Sequence, residues 1–263
     1  MERYSETKLK KKQKPPRYAF IDVLRGICLV SMIAYHTMWD CVYIFGVNAP
    51  WFKTEYAKIW QQSICWTFIF LSGFCWSFGR NHFKRGLLVF GGGIAITVVT
   101  LLVMPEDKII FGVLTLIGSA MLILTAAESI MKKIPPLFGF VLNFLIFIFS
   151  KNTAKGYIGF ENTPVFLKLP EFLYKDYFTA FLGFKFTGFR SSDYFPLIPW
   201  LFLFFAGYFF FMLLKEKGIV AKWKKTPPTK EFFSTIGRYS FWIYMAHQPV
   251  VYGILYIIFN IIR

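Results

Sequence analysis

Along this chain, apolar residues gather in blocks of about 20, separated by short breaks that are charged, amide-rich or proline-containing. A helix of about 20 apolar residues crosses the hydrocarbon core of a bilayer. The first block covers 20–47 and ends at the sequence NAPWFK (48–53). Further blocks cover 59–78, 86–104, 109–130, 137–149, 196–214 and 236–262, with breaks such as RNHFKR, PED and MKKIPP between them. The pattern predicts an all-α integral membrane protein, a helical bundle of about seven transmembrane helices. Helices suit lipid because they satisfy their own backbone groups. The stretch 151–193 breaks the rhythm: it is aromatic, rich in Gly and Pro, and carries both charges. It predicts an outer-face loop with short helices, re-entrant around 177–184. A crossing at 172–184 would make the count eight.

Composition strengthens this reading. The chain has 263 residues, 56% of them hydrophobic and 34 of them Phe, and its mean hydropathy is +0.49. One soluble core of this size cannot enclose so much apolar surface. Net charge is +16, which in a soluble protein would suggest nucleic acid. Here the charge falls between apolar blocks with no reading motif beside it, so no nucleic-acid partner is expected. With the N-terminus in the cytoplasm, the inner segments hold 18 of the 30 Lys and Arg, as cytoplasmic loops should. The domain plan is a basic cytoplasmic tail at 1–17 followed by one multi-pass domain at 18–263. No cleavable signal peptide is evident in the basic start of the chain. Cys28, Cys41, Cys65 and Cys75 form no CxxC or Cys/His cluster, so neither a disulfide framework nor a metal site is expected.

The first block also contains charges that lipid disfavours: Asp22, Arg25, His36 and Asp40. Such a group at bilayer depth costs at least about 2.5–3.5 kcal/mol for Arg or Asp and usually faces a bundle interior or a wet cavity. At 100° per residue, Arg25 and His36 fall within about 20° of one face, and Asp22 and Asp40 are about five whole turns apart. All four therefore share an arc of about 60°. They form an inner cluster, Asp22 and Arg25, and an outer cluster, His36 and Asp40, about 16 Å further along. A bland reading exists: Asp22 pairs with Arg25, Asp40 holds His36, and the seam only joins helices. Four ionisable groups on one face favour function. A cation near the inner surface can hold an anionic ligand, and a deeper His can take a proton from a nucleophile.

The segment RYAFIDVLRGICLVSMIAYHTMWD resembles the opening of the heparan-α-glucosaminide N-acetyltransferase catalytic-domain family, within the wider transmembrane acyltransferase superfamily with its Arg-x(10)-His spacing. FGVLTLIGSAML (111–122), SSDYFPLIPWLFLFFAGY (191–208) and IGRYSFWIYMAHQP (236–249) extend the resemblance over nearly the whole chain. The resemblance implies a membrane acetyltransferase that takes acetyl-CoA from the cytoplasm and acetylates a sugar-type acceptor on the far side. It makes His36 the base, and Arg25 a residue that holds CoA or organises its channel. On the residues themselves, His36, oriented by Asp40, acts on the acceptor directly or first carries the acetyl group, and Asp22 stands with Arg25 on the donor side. The expected partners are the lipid bilayer, an acyl-CoA donor and a glycan or amino-sugar acceptor. Homodimer formation is left open, and the expected location is the cell membrane.

On the acceptor side, Asp193 and Tyr194 precede the sixth block, where they could orient the acceptor or simply act as a helix cap and an interfacial aromatic. Tyr244 and His247 share a face of the last block and could contact the acceptor or only bond to a neighbouring helix. Gly91, Gly92 and Gly93 have no phosphate-loop context and predict close helix packing. Two other functions use the same residues: a transporter or channel built on the Arg25/His36 seam, and a non-catalytic assembly protein. The absence of an inverted repeat counts against a transporter.

Overall fold

The computed structural model describes residues 18–160, 166–223 and 231–262. The basic tail expected at 1–17 and positions 224–230 of the basic loop lie outside them. Seven longer helices among the described residues build the bundle: α1 (Ala19–Trp39), α2 (Glu55–Trp76), α3 (His82–Val103), α4 (Val113–Met131), α5 (Pro136–Ser150), α7 (Leu197–Glu216) and α9 (Ser240–Ile257). Two short helices join them, α6 (Tyr177–Leu182) and α8 (Phe232–Arg238).

Close contacts fix the helix directions. Along α1 and α2, Trp60 Nε1 donates to Ser31 Oγ at 2.8 Å, Cys28 Sγ meets the Ile64 carbonyl at 3.5 Å, and the Tyr18 and Phe78 rings lie 5.1 Å apart. The two helices are therefore antiparallel, and α2 ends where α1 begins. We call that end of the bundle the near end. Helices α3 and α4 form a hairpin in which Gly93 sits against Thr115 and Gly86 against Leu122. Helix α9 runs parallel to α1, with His247 beside His36 and Phe259 beside Phe45.

Six helical segments are long and apolar enough to cross a membrane: Ala19–Ile44, His82–Val103, Val113–Met131, Pro136–Lys155, Leu197–Glu216 and Ser240–Ile262. Helix α2 has the length, 22 residues, but Glu55, Lys58, Gln61 and Gln62 make its far half polar. Its other half packs on α7, where Gly73 lies against the backbone of Phe204 and Gly207 against that of Phe70.

The stretch after α5 contains a two-residue antiparallel ribbon, β1 (Tyr157–Ile158) with β2 (Leu167–Lys168), and then α6. Helix α6 is six residues long, far short of the ~20 needed to cross, so no eighth span lies at 172–184. A capping box starts it: Asp176 accepts from the Thr179 N–H at 2.9 Å, and Thr179 Oγ1 accepts from the Asp176 N–H at 3.1 Å. Gly183, at φ +133°, ends it.

The glycine triplet divides its work. A Cβ on Gly93 would come within 2.5 Å of Thr115 Oγ1, and one on Gly92 would touch Phe241 and Met245. Gly91 has open space, so only two of the three serve close packing.

Candidate active site

At its far end α1 widens into a π-helical turn, Asp40–Ile44. Such turns insert one extra residue and re-aim side chains. Asp40 opens this turn with no exposed surface. Its two carboxylate oxygens accept from Nε2 of Gln248, on α9, at 2.9 and 3.1 Å. The sequence pairs Asp40 with His36 at i,i+4. In the structure no hydrogen bond joins the two; the Asp40 carboxylate accepts from Gln248 instead.

His36 instead faces His247. The rings lie 5.1 Å apart at an interplanar angle of 55°. His247 is buried, its Nδ1 lies 2.6 Å from the Tyr244 carbonyl one turn back, and its Nε2 is buried with no partner among the described residues. A carbonyl only accepts, so Nδ1 carries a proton, and in the neutral ring Nε2 keeps its lone pair. Tyr244 is buried too, stacked on Phe68 at 5.8 Å and tilted at 54° to the His247 ring at 5.2 Å.

Asp193 reaches this line of groups from the far-end loop. That loop is tied to the turn before α4: the Ile110 N–H donates to Ser191 Oγ at 2.9 Å, Ser192 Oγ donates to the Asp107 carbonyl at 2.7 Å, and the Phe195 N–H donates to the Phe111 carbonyl at 2.8 Å. The stitching brings the Asp193 carboxylate to the start of α4, where Oδ2 lies 3.5 Å from the Val113 nitrogen. The sequence suggests a cap on the sixth span. The structure places the carboxylate on another helix, and α7 begins after Pro196 with no side-chain cap. Burial pushes Asp193 up to about 6, while the Val113 N–H pulls it down. The carboxylate is near enough to Tyr244 and Cys65 to act on both electrostatically. Tyr194 turns the other way, and its hydroxyl donates to the Ala180 carbonyl of α6 at 2.6 Å.

The inner cluster is separate. Arg25 Nη2 and Asp22 Oδ1 are 2.5 Å apart, and Asp22 is buried. Helix α8 covers this part of α1 so closely that a Cβ on Gly26 would sit 2.0 Å from the Phe233 carbonyl oxygen. Arg25 Nε is buried with no acceptor among the described residues.

Of the residues singled out in the sequence, His36 touches His247, His247 touches Tyr244, and Asp193 acts on Tyr244; Asp40 joins through Gln248, next to His247 in the chain, and Asp22 with Arg25 stays at the near end. Gln248 escaped the sequence reading. The one sign of it was an amide within an apolar block, beside His247 and Pro249. No group of three or more His, Cys, Asp or Glu able to hold a metal occurs among the described residues.

Several helices long and apolar enough to cross a membrane, with a histidine pair where α1 meets α9, define a multi-pass membrane protein carrying groups that can take up or pass on a proton. Residues 17–249 match the model of the family described as heparan-alpha-glucosaminide N-acetyltransferase, catalytic, and the chain belongs to that family. Membership implies a membrane acetyltransferase. Comparison with curated proteins finds no match, and neither does comparison with solved structures.

Proposed function

We propose that the protein moves an acetyl group from cytoplasmic acetyl-CoA to an amino or hydroxyl group of a sugar-type acceptor at the outer face of a cell membrane. The observation that carries this reading is the contact between half-buried His36 and buried His247, set in a family described as the catalytic domain of an N-acetyltransferase. The near end is the cytoplasmic one, as the basic segments require, and α2 is the seventh span.

Arg25 suits the donor. Asp22 engages one end of its guanidinium and leaves Nε with a hydrogen bond to give, and guanidinium binds phosphate well. Asp22 orients it. His36 takes the proton of the attacking amine or hydroxyl. The new bond forms to the acetyl carbon, the C–S bond breaks, and the CoA thiolate leaves and is protonated. His36 can instead attack first and carry the acetyl group. Trapping in acid followed by mass analysis of the His36 peptide separates these two routes. The lone pair on His247 Nε2 points to acceptor deprotonation or proton relay, and Tyr244 and Asp193 line the acceptor side. Asp40 holds Gln248 and so sets the angle of α9 at His247; it is a positioning residue.

The test is acetyl transfer in nanodiscs with labelled acetyl-CoA and a panel of amino sugars. His36→Ala is expected to cut the rate by about 10²–10⁴, the usual contribution of a general base, with the folded state unchanged by size-exclusion and circular dichroism. Full transfer by a well-folded His36→Ala protein would overturn the assignment. Movement of sugar across the membrane without use of acetyl-CoA would replace it with transport.

A further inference from the structure

A second group of buried polar atoms lies at the near end, apart from the histidine pair. Trp76, the last residue of α2, stacks on His82, the first residue of α3, with ring centroids 3.8 Å apart. Tyr208 of α7 meets the edge of Trp76 at 5.6 Å. Trp76 is 2% exposed and Tyr208 is 1% exposed. Trp76 Nε1, Ser77 Oγ, His82 Nδ1 and the Tyr208 hydroxyl are all buried with no hydrogen-bond partner among the described residues. Buried polar atoms are nearly always bonded, so four in one cluster form a donor set without its acceptor.

The charges nearby favour an anion. Arg85 lays its guanidinium against Gly79 of the α2–α3 turn, where a Cβ would sit 1.7 Å from Nη1. The N-terminus of α3, a 22-residue helix, opens beside the turn with its unsatisfied N–H groups and positive dipole end. From α4, Glu128 acts on both His82 and Tyr208, but Lys132 lies 2.5 Å from it and offsets its charge. Three helices thus bring the Trp76, His82 and Tyr208 rings into contact, with Ser77 next in the chain to Trp76 and the Arg85 guanidinium against the same turn. That arrangement fits a compact anion with oxygens pointing several ways better than it fits a planar carboxylate.

We infer that Trp76, Ser77, His82, Arg85 and Tyr208 form a phosphoryl-binding site at the near end of the bundle. The phosphoryl group can belong to the CoA donor, an assignment that rests on the reading above, or to the headgroup of an anionic lipid.

Three substitutions test the site while sparing the fold. Trp76→Phe and Tyr208→Phe each remove one polar group and keep the ring. Gly79→Ala displaces chiefly the flexible end of Arg85, the Trp76 carbonyl lying 3.3 Å from the new Cβ. Binding of acetyl-CoA, with ADP as competitor, is measured in zwitterionic nanodiscs, and retention of phosphatidylglycerol is measured by native mass spectrometry. If the donor supplies the phosphate, wild type binds acetyl-CoA, ADP competes, and each variant binds about tenfold more weakly, the scale of one hydrogen bond to a charged group. If a lipid supplies it, acetyl-CoA affinity is the same in all four proteins and the variants lose phosphatidylglycerol. Wild-type binding of acetyl-CoA with no change of either ligand in any folded variant would overturn the site and leave the donor reading standing. Failure of wild type to bind acetyl-CoA, with lipid retention still sensitive to the variants, would overturn the donor reading and leave the site.

Discussion

Asp40 is fully buried and shares both oxygens with one amide, so its environment depends on Gln248. Replacing Gln248 by Leu removes both hydrogen bonds from a buried carboxyl and should cost about 1–3 kcal/mol, the penalty for an unsatisfied buried group. Thermal unfolding in detergent should fall accordingly. A lowered kcat with little change in KM for acetyl-CoA would mark a positioning role rather than donor binding. Asp193 supplies a pH test. Its folded value, about 6, lies above the ordinary value of 3.8, so the folded state prefers the protonated carboxyl more than the unfolded chain does. Stability attributable to this group is present below about pH 4, is lost as pH rises through about 6, and stays level above that. Thermal unfolding of wild type against Asp193→Asn between pH 4 and 8 should show the two curves separating across that window. Parallel curves would mean that Asp193 is ionised throughout.

Helix pairing in this bundle depends on a few glycines at which one backbone meets another. Gly93→Ala puts a methyl group within 2.5 Å of Thr115 Oγ1 and 2.6 Å of its backbone nitrogen. The α3–α4 hairpin should lose about 1–3 kcal/mol, the usual cost of overpacking. Gly91→Ala, two positions away with nothing within 4 Å, should be neutral or stabilising by up to about 1 kcal/mol through helix propensity. Unfolding of the two variants in the same detergent gives the comparison, and equal losses would show that the triplet acts through the helix alone. The run GGG shows that small residues occur here, but it does not show which of them faces α4. That depends on the rotation of α3 in the bundle. Helix α2 is the opposite case. Its far half reads as too polar for lipid, yet contacts with α1 at one end and α7 at the other carry it through the bundle.

At the scale of the whole molecule, the alternation of helix directions puts the α2–α3 turn, the α4–α5 turn and the α7–α8 segment at the near end. If this end is cytoplasmic, cysteines introduced at Asn81 and Lys217 should resist a membrane-impermeant maleimide in intact cells. One at Lys175, in the far loop before α6, should react. The reverse pattern would invert the topology, and with it the side from which acetyl-CoA must arrive.

The sequence by itself determined the class of protein, the positions of most helices and the single polar face of α1, because these depend on local hydropathy and on the fixed 100° step of a helix. It also determined family membership through the order of its motifs. Which polar groups meet was decided by the tertiary structure. His36 and His247 are 211 positions apart, and Asp40 and Gln248 are 208 apart. Their contact depends on the parallel packing of α9 on α1, and the i,i+4 rule applied to α1 alone gave Asp40 the wrong partner. Asp193 likewise reached the start of α4 only through the loop stitching around Phe111, and the near-end cluster came together from three helices that have no shared pattern in the chain. Periodicity constrains the direction of a side chain on its own helix; the neighbour it finds there depends on how the helices pack.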